Sequence, residues 1–116
     1  MDRSAQSGES GTKTTKAARQ AAERAYLAAL QRAIARQQRY PTSARRRQQT
    51  GVATVAFVLQ ADGRIGGIRI AKGSGHGSLD QASLDALRRL GRFKPIPPEV
   101  GRTSWPLRVP IRFDLR

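Results

Sequence analysis

The stretch VATVAFVLQADGRIGGIRIAK (Val52–Lys72) decides the fold. Its first nine residues put Ala53, Val55, Phe57 and Leu59 on one face of a strand, because successive side chains of extended backbone point to opposite sides. Within ADGR, the pair Asp62-Gly63 favours a tight hairpin turn between the flanking apolar runs. The returning run IGGIRIAK changes phase at Gly66-Gly67, so a bulge is expected there that re-aims Ile68 and Ile70. An antiparallel hairpin is the result.

Beyond the hairpin, GSGHG reads as a loop and a well-marked helix follows. Ser78 with Gln81 three residues on has the capping-box pattern, Asp80 suits the positive end of the helix dipole, and Arg88-Arg89 suit the negative end. Leu79, Ala82, Ala86, Leu87 and Leu90 form its apolar stripe, and Gly91 is a natural stop. After the proline-rich FKPIPPEVG comes SWPLRVPIRFDLR (Ser104–Arg116), in which Trp105, Leu107, Val109, Ile111, Phe113 and Leu115 share one parity. This third strand contains Pro106 and Pro110, neither of which can donate to a ladder. Their equal parity places both missing donors on one edge. With the odd residues paired to the first strand, the open edge keeps N–H groups at Arg108 and Arg112 and carbonyls at 106, 108, 110 and 112. Such an edge is blunted against indiscriminate pairing, yet a short extended peptide can still dock on it.

Toward the N-terminus, Lys16 to Arg39 contains neither Gly nor Pro and is rich in alanine, which predicts a helix. Tyr26, Leu27, Leu30, Ala33 and Ile34 follow helical spacing and continue to Gln37, while arginines occupy much of the remaining surface. Tyr40-Pro41 ends this helix, and Pro41 opens a second short one over PTSARRRQQ, ending at Gly51. Residues 1–15 show no apolar pattern and read as a disordered linker. The order is α-α-β-β-α-β: an α+β fold with a small three-stranded antiparallel sheet backed by helices. The chain divides into the linker 1–15, a basic amphipathic helix 16–39 and a domain 40–116.

The 116 residues suffice for one small domain. There is no cysteine, hence no disulfide framework or thiolate metal site. No apolar run approaches the roughly 18 residues that span a bilayer, and MDRSAQSGESG is not a signal peptide. Against 8 acidic residues stand 22 basic ones, giving a formal net charge of +14 that favours anionic partners. A basic nucleic-acid-binding module is therefore a rival reading. However, few aromatics are available to stack on bases and no recognition helix is evident, so only weak, salt-sensitive binding without sequence preference is expected. The carboxylates are scattered and the single His76 lies in a glycine-rich loop. Nothing converges as an enzyme site requires, and neither a cofactor nor a metal is implied.

The segments YPTSARRRQQTG, VAFVLQADGRI, GSGHGSLDQASLDALRR and VPIRFDL, in this order and spacing, resemble the C-terminal domain of the TonB family of periplasmic energy transducers. The resemblance covers about Gln37 to Arg116. It departs from the family's pattern at Leu90-Gly91, where members often carry a Trp. The resemblance implies a role: an inner-membrane motor of the ExbB–ExbD type moves an anchored protein, using the proton gradient. The C-terminal domain grips the "TonB box" near the N-terminus of an outer-membrane transporter, opening it to siderophore, haem or cobalamin. It further implies a membrane anchor and spacer upstream, so the chain is expected to be the soluble C-terminal piece of a longer protein. The grip is strand addition to the last strand. The candidate peptide-binding residues are Arg108, Val109, Pro110, Ile111, Arg112 and Phe113. Gln37 joins them, since the family's contact region lies just before the Tyr-Pro. A peptidoglycan-associated domain is a third reading, and a homodimer formed by swapping the last strand is left open.

Overall fold

A computed structural model describes residues 15–115. The elements run α1 (Lys16–Gln37), α2 (Thr42–Arg46), β1 (Gly51–Gln60), β2 (Ile65–Lys72), α3 (Gly77–Leu90), a 3-10 turn (Pro98–Val100) and β3 (Ser104–Phe113). This is the expected α+β order. Apart from Thr15, the linker expected over 1–15 lies outside the described residues, as does Arg116.

The strands form one antiparallel sheet in the order β2-β1-β3, with β1 central. Period-two alternation sends Ala53, Val55, Phe57 and Leu59 of β1 to one face, where all four are buried with Trp105, Val109, Ile111 and Phe113 of β3. Helix α3 covers β1 and β2 on this face and packs against α1, which also meets the 3-10 turn. Tyr26, Leu30 and Ile34 of α1 join Leu79, Ala86 and Leu87 of α3 in the same core. Each such side chain taken fully from water contributes about 1.5–3 kcal/mol, so α1 is bound to the domain by its own stripe. The opposite face is open, and every even-numbered side chain of β3 is exposed.

The ADGR turn forms as expected. Its Asp62 carboxylate accepts from the Arg64 N–H at 3.1 Å and lies 2.9 Å from the Arg64 guanidinium. The backbone bond from Arg64, followed by its guanidinium, lowers the Asp62 pKa. Gly63 has φ +93, and its peptide faces Phe93 so closely that a Cβ would stand 2.0 Å from the Phe93 carbonyl oxygen. The bulge expected at Gly66-Gly67 is present: the register steps from Ala56↔Arg69 to Val58↔Gly66, with Gly67 at φ +62. A second irregularity, between Thr54↔Lys72 and Val55↔Ile70, had no counterpart in the sequence pattern.

Three boundaries differ from expectation. Helix α1 stops at Gln37 rather than Arg39, and Gln38 is already extended at φ −73, ψ 132. Tertiary contacts of Gln38 and Tyr40 with β3 hold these residues out of the helix. Pro41 caps α2 from outside it, and α2 ends at Arg46. Helix α3 starts at Gly77 with His76 at its cap, so Ser78 is inside the helix and its hydroxyl donates to Gln49 Oε1. The side chain that secures this end is Asp80, which reaches back to accept from the Ser74 N–H and hydroxyl, both at 2.8 Å.

Candidate functional site

The free edge of β3 follows from one hydrogen bond and a register. Ala61 donates its N–H to the Thr103 carbonyl at 2.9 Å, on the line that continues the β1–β3 pairs Leu59↔Trp105, Phe57↔Leu107, Val55↔Val109 and Ala53↔Ile111. Antiparallel ladders alternate bonded and non-bonded pairs, so the odd residues of β3 turn their N–H and C=O groups to β1 and the even ones turn theirs away. Gln38 supplies an independent check. Its side-chain amide donates to the Arg112 carbonyl at 2.6 Å from outside the sheet. Along the free edge Pro106 and Pro110 supply no donor, so beyond Ser104 the strand keeps edge N–H groups at Arg108 and Arg112.

The other edge of the sheet is less available. β2 carries two register irregularities, and its beginning is covered where Ile65 donates to the Gly91 carbonyl at 3.1 Å and Arg64 bridges to Arg92. Bulges twist an edge away from further pairing.

The residues singled out in the sequence fall into three places. Arg108, Pro110 and Arg112 are exposed and own the free edge groups. Val109, Ile111 and Phe113 point their side chains into the core and their backbone toward β1, so they hold the strand in place without reaching its outer edge. Gln37 ends α1, half-buried, and its carbonyl accepts from the Arg89 guanidinium at 2.8 Å.

The amide that touches β3 belongs to the next residue, Gln38. Tyr40 likewise carries no site signal in the sequence. Its ring packs edge-on against Phe113 at 5.4 Å, Arg45 lies over it at 5.1 Å, and its hydroxyl donates to the Gln49 carbonyl. Together these contacts pin the segment between α1 and α2 beside the end of β3. A depression of about 360 Å³ lined by Arg39, Pro41, Ser78, Gln81, Asp85 and Arg89 adjoins this segment. No local pattern announces these pairings, since Gln38 and Arg112 are 74 residues apart.

At the far end of β3, Tyr26 stacks on Trp105 with ring centroids 6.1 Å apart and donates its hydroxyl to the Lys94 carbonyl at 2.8 Å. Burial raises the Tyr26 pKa to about 12. Among the described residues, no group of three His, Cys, Asp or Glu side chains is placed to hold a metal ion. No described helix is long and apolar enough to cross a membrane.

Comparison with known proteins gives a consistent result. The family described as "Gram-negative bacterial TonB protein C-terminal" matches residues 36–115. Protein TonB of Pseudomonas putida is 41% identical over 69 residues, which cover 60% of this chain and 28% of that protein. Protein TonB of Pasteurella multocida is 41% identical over 91 residues, covering 78% of this chain and 34% of that one. The solution structure of the Helicobacter pylori TonB C-terminal domain, 27% identical, superimposes with a TM-score of 0.70 over 90% of this chain and 98% of that one. The matched stretch is thus about a third or less of those two full-length relatives.

Proposed function

The chain belongs to the TonB C-terminal domain family, and on that premise we propose that it is the transporter-gripping domain of a periplasmic energy transducer. The domain takes up the N-terminal TonB box of an outer-membrane transporter as a fourth strand on β3. Work derived from the proton gradient reaches it from an ExbB–ExbD-type motor through a membrane anchor upstream, and serves uptake of siderophores, haem or cobalamin.

The observation that carries this reading is the edge of β3, which retains carbonyls but only selected donors. Arg108, Pro110 and Arg112 offer the main-chain groups, while Val109, Ile111 and Phe113 fasten the strand to β1 and the core. Main-chain hydrogen bonds give affinity with modest demands on sequence, as suits a domain serving several transporters. Gln37 lies close to the bound box, beside the Gln38 contact to the edge. Its replacement by Ala weakens binding by about 0.5–1.5 kcal/mol, the net worth of one hydrogen bond.

The test is an amide-resolved titration with a peptide carrying a transporter box. Shifts concentrated between Leu107 and Asp114 are expected. Shifts confined to His76 and its loop would overturn the reading, and tight binding of one nucleic-acid sequence at physiological salt would replace it with its basic-module rival.

A further inference from the structure

Strand addition would extend not only the ladder of the sheet but also its open face, and that face has a definite charge pattern. Across the three strands, Arg69, Ala56 and Arg108 stand in one row, and Lys72, Thr54 and Pro110 in the next. Arg112 follows opposite Val52. Between Arg69 and Arg108, Ala56 is only 2% exposed and forms part of a depression of about 300 Å³ that both arginines line. Arg69, Arg108 and Arg112 are themselves exposed, and among the described residues none has a carboxylate within ion-pair distance. The two arginines nearest the free edge, Arg108 and Arg112, also keep their own edge N–H groups.

Resting on the docking reading above, we propose that the segment added to β3 is an acidic strand, with carboxylates four residues apart on its solvent-facing side. Residues directly opposite each other in neighbouring strands share a face, with Cβ atoms about 4.5–5.5 Å apart. The residues opposite Arg108 and Arg112 therefore lie beside the two guanidinium groups, separated by three positions. The middle one of these faces Pro110. The two others turn to the helix-bearing side, next to Val109 and Ile111, where apolar side chains belong. The four-residue spacing is the same for a parallel or an antiparallel arrival, because it is set by β3 alone. The forked guanidinium matches a carboxylate with two parallel hydrogen bonds, and among the described residues no carboxylate has to be displaced.

A second copy of the chain paired in register about Pro110 fits this edge poorly. Symmetric antiparallel pairing of two β3 strands about Pro110 sets Arg108 of one copy against Arg112 of the other. Like charges directly opposite one another are destabilising.

The experiment uses three end-blocked peptides: Ser-Glu-Val-Thr-Val-Glu-Val-Ser, its isomer Ser-Glu-Val-Thr-Glu-Val-Val-Ser with the carboxylates on opposite faces, and the first with both Glu replaced by Gln. Affinity is read calorimetrically and location from amide shifts. The first peptide binds tightest, with each Glu-to-Gln change costing about 1.5- to 5-fold, the span of one cross-strand charge pair. In the Arg108→Gln/Arg112→Gln variant the advantage of the acidic peptides over the Gln peptide disappears. Equal affinities with shifts on β3 would overturn the acidic-strand inference and leave strand addition standing. An acidic preference that survives in the double variant would overturn it too, since general attraction to a +14 chain would then be the cause. Absence of edge shifts with every peptide would remove the docking reading itself.

Discussion

Gln38 ties the end of α1 to the end of β3: its side-chain amide donates to the Arg112 carbonyl at 2.6 Å, on the edge that β1 leaves free. A residue of the domain thus occupies an acceptor that an added strand would use. A peptide long enough to reach Arg112 has to displace this amide, whereas one spanning only Pro106 to Pro110 does not. Gln38→Ala should tighten binding of the longer peptide by about 0.5–1.5 kcal/mol, one net hydrogen bond, and leave the shorter one unchanged. Calorimetric titration of both peptides checks it, and equal effects on the two would refute the competition.

The prolines of β3 guard the same edge. Replacing both Pro106 and Pro110 by Ala restores two donors, each worth about 0.5–1.5 kcal/mol net in a new ladder. The double variant should self-associate more strongly than the parent chain, increasingly so as salt screens Arg108 from Arg112. Sedimentation at low and high salt measures this. Identical association constants would show that the prolines exclude nothing.

Tyr26 gives the fold an alkaline limit. Its phenol keeps its proton to about pH 12 in the folded protein, whereas an unperturbed tyrosine releases it near about pH 10. Between these values the unfolded chain binds fewer protons, so the contribution is complete below about pH 10 and is lost as pH rises toward 12. Tyr26→Phe should flatten this part of the stability curve while losing, at neutral pH, roughly 1 kcal/mol from the bond to Lys94. Urea unfolding across the range distinguishes the two effects.

Gly63 and Gly66 should respond very unequally to the same change. At Gly63 an added Cβ meets the Phe93 carbonyl at 2.0 Å and φ is +93, whereas at Gly66 nothing lies within 4 Å. A left-handed conformation alone costs a non-glycine residue about 1–2 kcal/mol, and the backbone clash adds to it. Gly63→Ala should therefore destabilise by more than about 2 kcal/mol, and Gly66→Ala by less than about 1 kcal/mol. Comparable unfolding midpoints for the two would contradict this account of the turn.

Hairpin, sheet face and edge parity were readable because each depends on period-two alternation, turn chemistry or the missing N–H of proline. Ala53, Val55, Phe57 and Leu59 are buried as their spacing implies, and Gly67 marks the bulge. What eluded the sequence depends on contacts between distant segments. Nothing near Gln38 signals that it, rather than Gln37, reaches Arg112. The last two residues of the expected first helix are drawn out by Tyr40 docking on Phe113. Ser78 has the local pattern of a cap, but Asp80 bonding back to Ser74 shifts the helix start and takes over the anchoring.

The central strand has an unusual dependency. β1 finds one neighbour immediately, across the ADGR turn, but its other neighbour arrives more than fifty residues later, with Val55 meeting Val109 and Ala53 meeting Ile111. Until then one flank of β1 is bare and the hydrophobic pocket meant for Trp105, Ile111 and Phe113 stands open. Assembly must wait for this long-range closure, which makes folding slower than for a chain of local contacts. A copy cut short before Ser104 lacks the final strand and with it both the seal of the core and the free edge. Incomplete synthesis or proteolytic trimming of β3 should therefore yield chains that expose apolar surface to cellular proteases, not stable folds that merely lack one edge.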